Sequence, residues 1–407
     1  MGNFKRARIP TPAQYRYPSK WSKSFIVWLF RISITDGVLG LQFADEIVEV
    51  GSGAFVCTIA PPSFIRLVWL LFRPDFRMPS HYTKGYWCCE NEKLYDFLEL
   101  LTAEKGSPLR WWFRLFNRSP VRDQLVYRLF PLKVKENIAI HYNTSSKFMK
   151  LILGERLEYT CAFFDDEHPD LNAAQDQKIC TVIDRLDIER HHQILDLGCG
   201  WGQIAEAVSR QTGAHVTGVN LTRNQIAFAQ DNHSKNVDFV QTDYQAFQPN
   251  GSYDRIYSIG MLEHIGRGKL DQYFGKISEL LSVDGKVLVH CIVRDQEGST
   301  NSWIDQEVFP GAYIPELSDI IKTIERSDLN LDTIFTHDKS NYFRTLHAWT
   351  NNLYEKRREL ETVLKELVPT EDASTIIRIW EFYLCGSRLV FNDQNGYCYN
   401  VQIVLRN

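Results

Sequence analysis

The chain has 407 residues, of which 44% are hydrophobic, and it carries a formal net charge of −4 at pH 7. This length and composition predict a globular protein with a large core and two domains, and the pI of 6.3 argues against a nucleic-acid partner. The nine cysteines include no Cys-x-x-Cys pair, so we expect neither a disulfide framework nor a metal site.

Charge is divided unevenly along the chain. Residues 1–150 carry 22 Lys and Arg against 12 Asp and Glu, whereas residues 151–407 carry 24 against 38. The segment from Pro108 to Arg118 interleaves arginine with large aromatic side chains, which suits an anionic membrane surface. A solvated basic face over a core helix explains the same composition equally well. We expect residues 1–136 to form a membrane- or lipid-interacting domain that ends in this basic, aromatic linker.

The sequence predicts no membrane-spanning helix. Charged residues at Arg31, Asp36, Arg66 and Arg73 interrupt or bracket the two most apolar stretches, so neither reaches the roughly 20 apolar residues that a span requires. The N-terminus also lacks the pattern of a signal peptide. The expectation is a cytoplasmic protein that associates with the membrane peripherally.

The most informative segment runs from Ile194 to Gly202. An apolar strand contains Asp196 near its end, and Gly198, Gly200 and Gly202 follow at alternate positions. Glycine lets the backbone approach a ligand where a Cβ atom would clash. The spacing Asp-x-Gly-x-Gly-x-Gly differs from the dinucleotide pattern Gly-x-Gly-x-x-Gly and favours S-adenosylmethionine as the cofactor. An incidental glycine-rich turn in another doubly wound protein is the alternative interpretation.

Polar residues follow the next two predicted strands. A helix over Gln203–Gln211 leads to a strand over His215–Asn220, after which Asn220, Thr222 and Gln225 are candidates for binding the cofactor ribose. Most methyltransferases have an acid at this point. A third strand over Val237–Tyr244 ends in Asp243 and Tyr244, which suit an adenine because a carboxylate accepts from its amino group and a ring stacks on it.

Two further β-rich runs complete the alternating pattern. They cover Tyr253–Ile259 and Lys286–Ile292, and a predicted helix over Lys269–Leu281 separates them. Strands that alternate with helices indicate a parallel sheet with crossover helices. The fold class predicted here is therefore α/β.

Four separated motifs resemble the cyclopropane fatty acid synthase family, which includes the mycolic acid cyclopropane synthases. They are Tyr159–Phe164, Ser258–Gly266, Phe309–Pro315 and Tyr342–Trp349. The resemblance runs from about Ile138 to the C-terminus, with a weaker match at Gly85–Trp87 and Leu94–Leu98. It implies a class I methyltransferase fold over residues 137–407, a Rossmann-like doubly wound sheet with a helical cap at about 301–377. It also implies a small N-terminal α/β domain of lipid-binding type.

The resemblance implies that the chain converts a double bond in an unsaturated phospholipid acyl chain into a cyclopropane. The methyl donor is S-adenosylmethionine, and a bound bicarbonate removes a proton after a carbocation has formed. The residues implied to hold the bicarbonate are Cys161, Glu263, His290, Ile292 through its backbone, and Tyr342. A helix-start acid at Glu263 and a satisfied strand histidine at His290 are the structural alternatives.

Other positions carry over with changes. The family's His-Tyr-Asp motif is present as His141-Tyr142-Asn143, so Tyr142 and Asn143 are expected to bind the cofactor, although Asn143 lacks the negative charge of the usual acid. Ser387 stands where relatives commonly have cysteine, so no covalent role is expected there. Aromatic candidates for stabilising the carbocation are Tyr142, Phe163, Phe164, Tyr313 and Tyr342, with core packing as the alternative for each.

Three alternative functions remain open at this point. A fatty acyl C-methyltransferase would give a methyl-branched or methylated unsaturated chain, an amine N-methyltransferase would act on a lone pair, and a lipid-binding regulator would contain a degenerate core. The intact Asp196, Gly198, Gly200 and Glu263 argue against the last of these. A homodimer is implied by the resemblance alone.

Overall fold

The computed structural model describes residues 8–34, 36–103, 145–266, 268–295, 301–393 and 396–407. Two compact units are present. The N-terminal unit consists of Met1–Lys133, Asn301–Val308 and Leu364–Val390, and the C-terminal unit consists of Val134–Thr300, Phe309–Val363 and Phe391–Asn407.

The N-terminal unit has the small mixed α/β architecture that the resemblance implies. Its elements are α1 (Lys20–Ser33), β1 (Gly37–Gln42), β2 (Ile47–Ser52), β3 (Phe55–Ala60), α2 (Phe64–Phe72), α3 (Pro74–Thr83), β4 (Cys88–Cys89) and α4 (Leu94–Ala103). The strand order is β2-β1-β3-β4, and β1 pairs antiparallel with β2 but parallel with β3. Within the described ranges, no helix has both the length and the apolarity needed to cross a membrane.

The C-terminal unit is built on a seven-stranded sheet. Its elements in chain order are α5 (Ser146–Leu153), α6 (Leu171–Leu186), β5 (Gln193–Leu197), α7 (Gln203–Thr212), β6 (His215–Asn220), α8 (Arg223–Asn232), β7 (Val237–Gln241), β8 (Tyr253–Ile259), α9 (Leu270–Leu280), β9 (Leu281–Arg294), α10 (Leu317–Ile324), β10 (Asn330–His337), α11 (Lys339–Glu355), α12 (Arg357–Leu367) and β11 (Cys398–Arg406). The last residues of α12 belong to the N-terminal unit.

The strand order of this sheet is β10-β11-β9-β8-β5-β6-β7. Strands β5 to β9 are parallel, and β11 runs antiparallel to both β9 and β10. The chain proceeds from β5 to β6 on one side and later returns to β8 on the other side of β5, which makes the carboxyl end of β5 a topological switch point. Ligands of doubly wound sheets bind at such points.

The predicted alternation of strands and helices is confirmed. Strands β6 and β8 have the predicted bounds, whereas β7 ends at Gln241 and β9 begins earlier than predicted, at Leu281. Successive residues of β5 face opposite sides of the sheet, because side chains alternate along a strand. Ile194 packs in one apolar core cluster, and Leu195 and Leu197 pack in the other.

The structure corrects the predicted extent of the cap. We predicted a cap over about 301–377 within a continuous catalytic domain, but residues 301–308 and 364–390 pack in the N-terminal unit. The reason is the packing of α13 (Ala373–Val390). Its Glu381 accepts a 2.8 Å hydrogen bond from the Tyr82 hydroxyl, and the Arg388 guanidinium lies 3.8 Å from the centre of the Tyr95 ring.

Candidate active site

A glycine turn follows the central strand β5. Gly200 has a φ of +54°, and a Cβ atom built on it meets nothing within 4 Å. Gly202 has a φ of +80°, and a Cβ atom there would lie 2.6 Å from Cζ of Phe239. Gly202 is therefore required by packing against the protein itself, whereas Gly200 borders open space. This open space leaves room for the cofactor that the sequence predicts here.

Asp196 lies at the end of β5 and is 3% exposed. Burial raises the pKa of its carboxyl group to about 8, with the neighbouring Tyr257 phenol opposing the rise and the Glu158 carboxyl group adding to it. Its Oδ2 atom is buried without a hydrogen-bond partner among the described residues. Such an orphaned acceptor fits a bound ligand that carries a donor or a positive charge.

The candidates for ribose binding lie at the carboxyl end of the neighbouring strand β6. The Asn220 amide nitrogen donates a 2.7 Å hydrogen bond to Oε1 of Gln225, so these two side chains hold each other. Thr222 is the N-cap residue of α8, and its side chain forms no capping hydrogen bond. The three residues therefore share one edge of the sheet with the glycine turn.

The candidates for adenine binding follow β7 at the same edge. Asp243 is exposed, and its Oδ1 atom accepts a 2.9 Å hydrogen bond from the backbone N–H of Gln245. The Tyr244 ring is half-buried and meets the Tyr273 ring edge to face at 5.8 Å. The structure thus brings both residues to the expected side of the sheet.

Glu263 is fixed by two backbone hydrogen bonds. It lies in a short 3₁₀ turn, Leu262–His264, after β8. Its Oε1 atom accepts a 2.6 Å hydrogen bond from the N–H of Ile292, and its carbonyl oxygen accepts a 2.9 Å bond from the N–H of Tyr313. Burial raises the pKa of Glu263 to about 7, and the Oε2 atom has no partner within the described part of the chain. This second oxygen is available to a ligand.

The same bond changes the expected role of Ile292. Its backbone was expected to face a bicarbonate, but its N–H donates to Glu263. In this structure the Ile292 amide therefore orients the Glu263 carboxyl group.

His290 is two residues before Ile292 on β9 and is 2% exposed. Burial lowers its pKa well below the usual value, with smaller contributions in the same direction from His337 and Lys178. The imidazole is therefore neutral at pH 7. Its ring lies 5.5 Å from the Phe163 ring, which stacks on His337 at 4.1 Å. The motif that contains Cys161 is thus packed against the strand that contains His290.

Cys161 and Tyr342 are joined through the contacts of their neighbours. Burial raises the pKa of the Cys161 thiol to about 12, so it remains protonated. The N–H of the next residue, Ala162, donates a 3.0 Å hydrogen bond to Oγ1 of Thr345 on α11. Tyr342 lies one turn earlier on this helix, and its buried ring is 4.6 Å from the Phe391 ring.

Some predicted contacts lie outside the described residues or differ from expectation. Tyr142 and Asn143, predicted to bind the cofactor, and the segment Pro108–Arg118 are outside the described ranges. Phe164 was a candidate for stabilising a substrate cation, but the Arg344 guanidinium lies 4.3 Å from the centre of its ring. That ring therefore already has a cation against it.

One polar pair in this region was not foreseen. Lys178 and Glu158 form a 2.6 Å ion pair, and their side chains are 0% and 2% exposed. The sequence contains one signal for it, because Ala174, Lys178 and Val182 recur every four residues along α6 and place a lysine on an apolar helix face.

Residues 132–401 match the model of the mycolic acid cyclopropane synthetase family. This match covers well over half of the chain. The chain belongs to this family.

Three curated relatives of this family member illustrate its range. A probable fatty acid methyltransferase of Pseudomonas putida is 29% identical over 63% of this chain and 66% of the relative. The cyclopropane-fatty-acyl-phospholipid synthase of Escherichia coli K12 is 27% identical over 74% and 76%. A sphingolipid C9-methyltransferase of Komagataella phaffii is 29% identical over 67% and 58%. The chain thus spans just under two thirds of the length of the Pseudomonas relative.

Solved structures agree with the family assignment. The cyclopropane synthase MmaA2 from Mycobacterium tuberculosis superposes with a TM-score of 0.59 at 26% identity, over 67% of this chain and 98% of that one. Coclaurine N-methyltransferase, at 20% identity and a TM-score of 0.61, shares the fold. The predicted class I methyltransferase fold is confirmed.

The first prediction concerns Gly200. Replacing it with valine places a β-branched side chain at a positive φ and fills the open space beside the turn. We expect Gly200→Val to lose detectable binding of S-adenosylhomocysteine by calorimetry. Gly251→Val is the control. Gly251 also has a positive φ and open space around it, but it lies just before the amino end of β8, at the other edge of the sheet from the glycine turn. Wild-type affinity in a folded Gly200→Val variant would contradict the assignment of the open space at Gly200 to the cofactor.

The second prediction concerns pH. The raised pKa of Asp196 means that this carboxyl group is mostly protonated at pH 7 and ionises as the pH rises through about 8. The ionised form attracts the cationic amino group of S-adenosylhomocysteine. We expect calorimetry to show affinity rising by up to about tenfold between pH 7 and pH 8.5, because one pKa unit corresponds to a factor of ten. Asp196→Asn should remove this dependence, and an equally steep profile in that variant would count against the assignment.

Proposed function

We propose that this chain transfers a methyl group from S-adenosylmethionine to the double bond of an unsaturated phospholipid acyl chain and closes it into a cyclopropane. The observation that carries the proposal is Glu263, which has one orphaned oxygen and one oxygen bonded to the N–H of Ile292, two residues after the neutral His290 on β9. The motif that contains the protonated Cys161 packs against His290 through the Phe163 ring. These groups lie at the same sheet edge as the glycine turn. The cyclopropane synthases among the relatives support it.

The described residues fit both S-adenosylmethionine and bicarbonate. Open space at Gly200 and the orphaned oxygen of Asp196 suit S-adenosylmethionine, and the orphaned oxygen of Glu263 suits a small polar anion such as bicarbonate. When bound, the former supplies an electrophilic methyl group and the latter a base. Cys161, His290, Glu263 and Tyr342 are proposed to hold the anion, and the Ile292 amide is proposed to orient Glu263.

The protein's own part is to hold donors still and to exclude water. The Cys161 thiol, with a pKa of about 12, stays protonated and does not compete as a nucleophile, and in this structure it donates to the carbonyl oxygen of Ala162 at 3.4 Å. Glu263, with a pKa of about 7, either donates to or accepts from a ligand near neutral pH. The acyl chain becomes cationic once methylated, and the buried Tyr342 ring on α11 stabilises positive charge through its face. Exclusion of water prevents the cation from being hydrated.

Acyl C-methylation without ring closure is the second candidate. The fatty acid and sphingolipid methyltransferases among the relatives favour it. Both candidates use the same donor and the same alkene. Loss of a proton from the new methyl group closes the ring, loss of a proton from the chain leaves a methylated alkene, and a saturated branch needs in addition a hydride donor from the host. An amine N-methyltransferase is disfavoured, because a lone-pair nucleophile leaves no task for the buried Glu263 and His290.

The third prediction tests this proposal in cells. The protein is expressed in a host that makes unsaturated phospholipids but no cyclopropanes, and the acyl chains are analysed by mass spectrometry and proton NMR. We expect a gain of one methylene unit with ring signals upfield of the chain methylenes. Glu263→Ala should abolish the product, and Glu325→Ala, at an exposed glutamate of the same unit, should not.

Other results of the lipid analysis would point to other reactions. The same mass gain without ring signals would favour methylation that leaves the chain unsaturated, and a further gain of two hydrogens would indicate a saturated methyl branch. No new lipid despite donor binding would contradict both acyl-chain proposals.

We also propose that the N-terminal unit docks on an anionic membrane surface. Four large apolar residues at helical spacing lie exposed along α1, with Trp21 94% and Trp28 54% exposed, accompanied by Phe25 and Ile32. The α2 helix adds Phe64, Ile65 and Trp69, and the Phe25 and Phe64 rings meet at 5.4 Å. Contiguous exposed apolar residues of this size mark interaction surfaces.

Charge on this aromatic face favours a bilayer as the occupant. The two helices contain the basic residues Lys20, Lys23, Arg31 and Arg66 and no acidic residue. Lys20 and Arg31 are exposed beside the tryptophans. Indole rings at headgroup level combined with cations that face lipid phosphates are typical of surface-bound helices.

The fourth prediction tests the aromatic face with vesicles. A triple variant, Trp21→Ser, Trp28→Ser and Trp69→Ser, should lose at least about tenfold in affinity for phosphatidylglycerol-containing vesicles in sedimentation. Val283→Ser, at an 83% exposed apolar residue of the C-terminal unit, is the matched control. Unchanged vesicle binding would contradict the proposal, and a change in oligomeric state instead would assign the face to a second copy.

A further inference from the structure

Lys178 on α6 is completely buried and has three polar partners. Its ammonium group forms an ion pair with Glu158 at 2.6 Å and donates hydrogen bonds to Oγ1 of Thr160 and Oε1 of Gln175, both at 2.6 Å. The positive charge is therefore paired with one carboxylate and two neutral acceptors. Taking a lysine out of water is costly, and such a group persists only when it is fully paired.

Lys178 and its neighbour Gln175 also fix residues 158–160, the segment that leads into Cys161. Gln175, one turn before Lys178, donates its amide to the carbonyl oxygens of Thr160 at 3.1 Å and Glu158 at 3.5 Å. On its other side the Thr160 methyl lies so close to Gly260 that a Cβ atom there would approach it to 2.8 Å. The Lys178 charge is therefore held against Thr160, the residue before Cys161, in a segment that is packed on both sides.

The proposed anion cradle contains no cation of its own. Cys161 is a thiol, Tyr342 a phenol and Glu263 an acid, and burial keeps His290 neutral. An anion loses its hydration when it enters a buried site, and without a nearby positive charge this desolvation is strongly unfavourable. Lys178 is close enough to lower the pKa of both Cys161 and His290. Lys178 is thus a buried cation that is hydrogen-bonded to the neighbour of Cys161 and whose charge acts on two members of the proposed anion site.

We propose that Lys178 is the positive countercharge for the anion held by Cys161, Glu263, His290 and Tyr342, and that Glu158 tempers this charge. The inference rests on the proposed bicarbonate cradle and adds to it a residue that does not contact the anion. Lys178 acts at a distance, because its own hydrogen atoms are taken by Glu158, Thr160 and Gln175. It is a positioning and electrostatic residue for the reaction.

Removing the charge of Lys178 and removing that of Glu158 should change bicarbonate binding in different directions. Lys178→Met removes the positive charge and should weaken bicarbonate binding by at least about tenfold. Glu158→Gln removes the opposing negative charge and should leave bicarbonate binding equal or tighter. A merely structural role of the pair would weaken binding in both variants.

The fifth prediction is measured without turnover, as the rise in melting temperature that sodium bicarbonate produces over sodium chloride at equal ionic strength and pH. A ligand that binds only the folded state raises that temperature, and at a fixed ligand concentration the rise increases with the logarithm of its affinity. For Lys178→Met, calorimetric binding of S-adenosylhomocysteine, expected to be unchanged within about twofold, reports that the fold is intact, and for Glu158→Gln a cooperative melting transition does so. If Lys178→Met does not fold, the double variant Glu158→Gln, Lys178→Met removes both charges at similar volume and should also bind bicarbonate more weakly than Glu158→Gln alone.

The measurement distinguishes an incorrect role of Lys178 from an incorrect bicarbonate site. No bicarbonate stabilisation of the wild type would overturn the cradle and the inference with it. Wild-type stabilisation that persists undiminished in folded Lys178→Met, or is lost equally in Glu158→Gln, would overturn the role of Lys178 alone.

Discussion

Two carboxyl groups, Asp196 and Glu263, are held out of water at the carboxyl edge of one parallel sheet, and the architecture of the site follows from accommodating them. Burial raises the pKa of Asp196 to about 8 and that of Glu263 to about 7. Each group retains one oxygen without a partner in the described part of the chain. Buried acids with shifted pKa values and unpaired oxygens are unfavourable for folding and are typical of sites where a bound ligand supplies the missing contacts.

The backbone around these acids is fixed at several points. Glu263 is bonded to Ile292 of β9 and to Tyr313, and the glycine turn after Asp196 cannot tolerate a side chain at Gly202. Rigid placement matters because an alkene is a weak nucleophile and must be aligned closely with the methyl group that it takes. The neutral His290 and the protonated Cys161 complete a set of donors whose charge is balanced, in our proposal, by the buried Lys178.

Much of this could be predicted from the sequence because the parallel strands are short apolar runs that end in acids and glycines. The regions that were missed lack this pattern. Strand β10 is largely exposed, and β11 places Asn400 and Gln402 at buried positions, so neither shows a clean alternation of apolar and polar residues. The docking of α13 in the N-terminal unit depends on Tyr82 and Tyr95, nearly 300 residues earlier in the chain, and local periodicity contains no information about such contacts.

The measurement that tests the central claim most directly uses S-adenosylmethionine with a trideuterated methyl group, purified enzyme and unsaturated phospholipid. The account holds that a base in the buried cradle removes a proton from the newly added methyl group. The product should therefore retain two of the three deuterium atoms, with both on a ring carbon by NMR, and Glu263→Gln should greatly reduce its yield. A product that retains all three deuterium atoms on a methyl group would show that the proton leaves from elsewhere and would contradict the account.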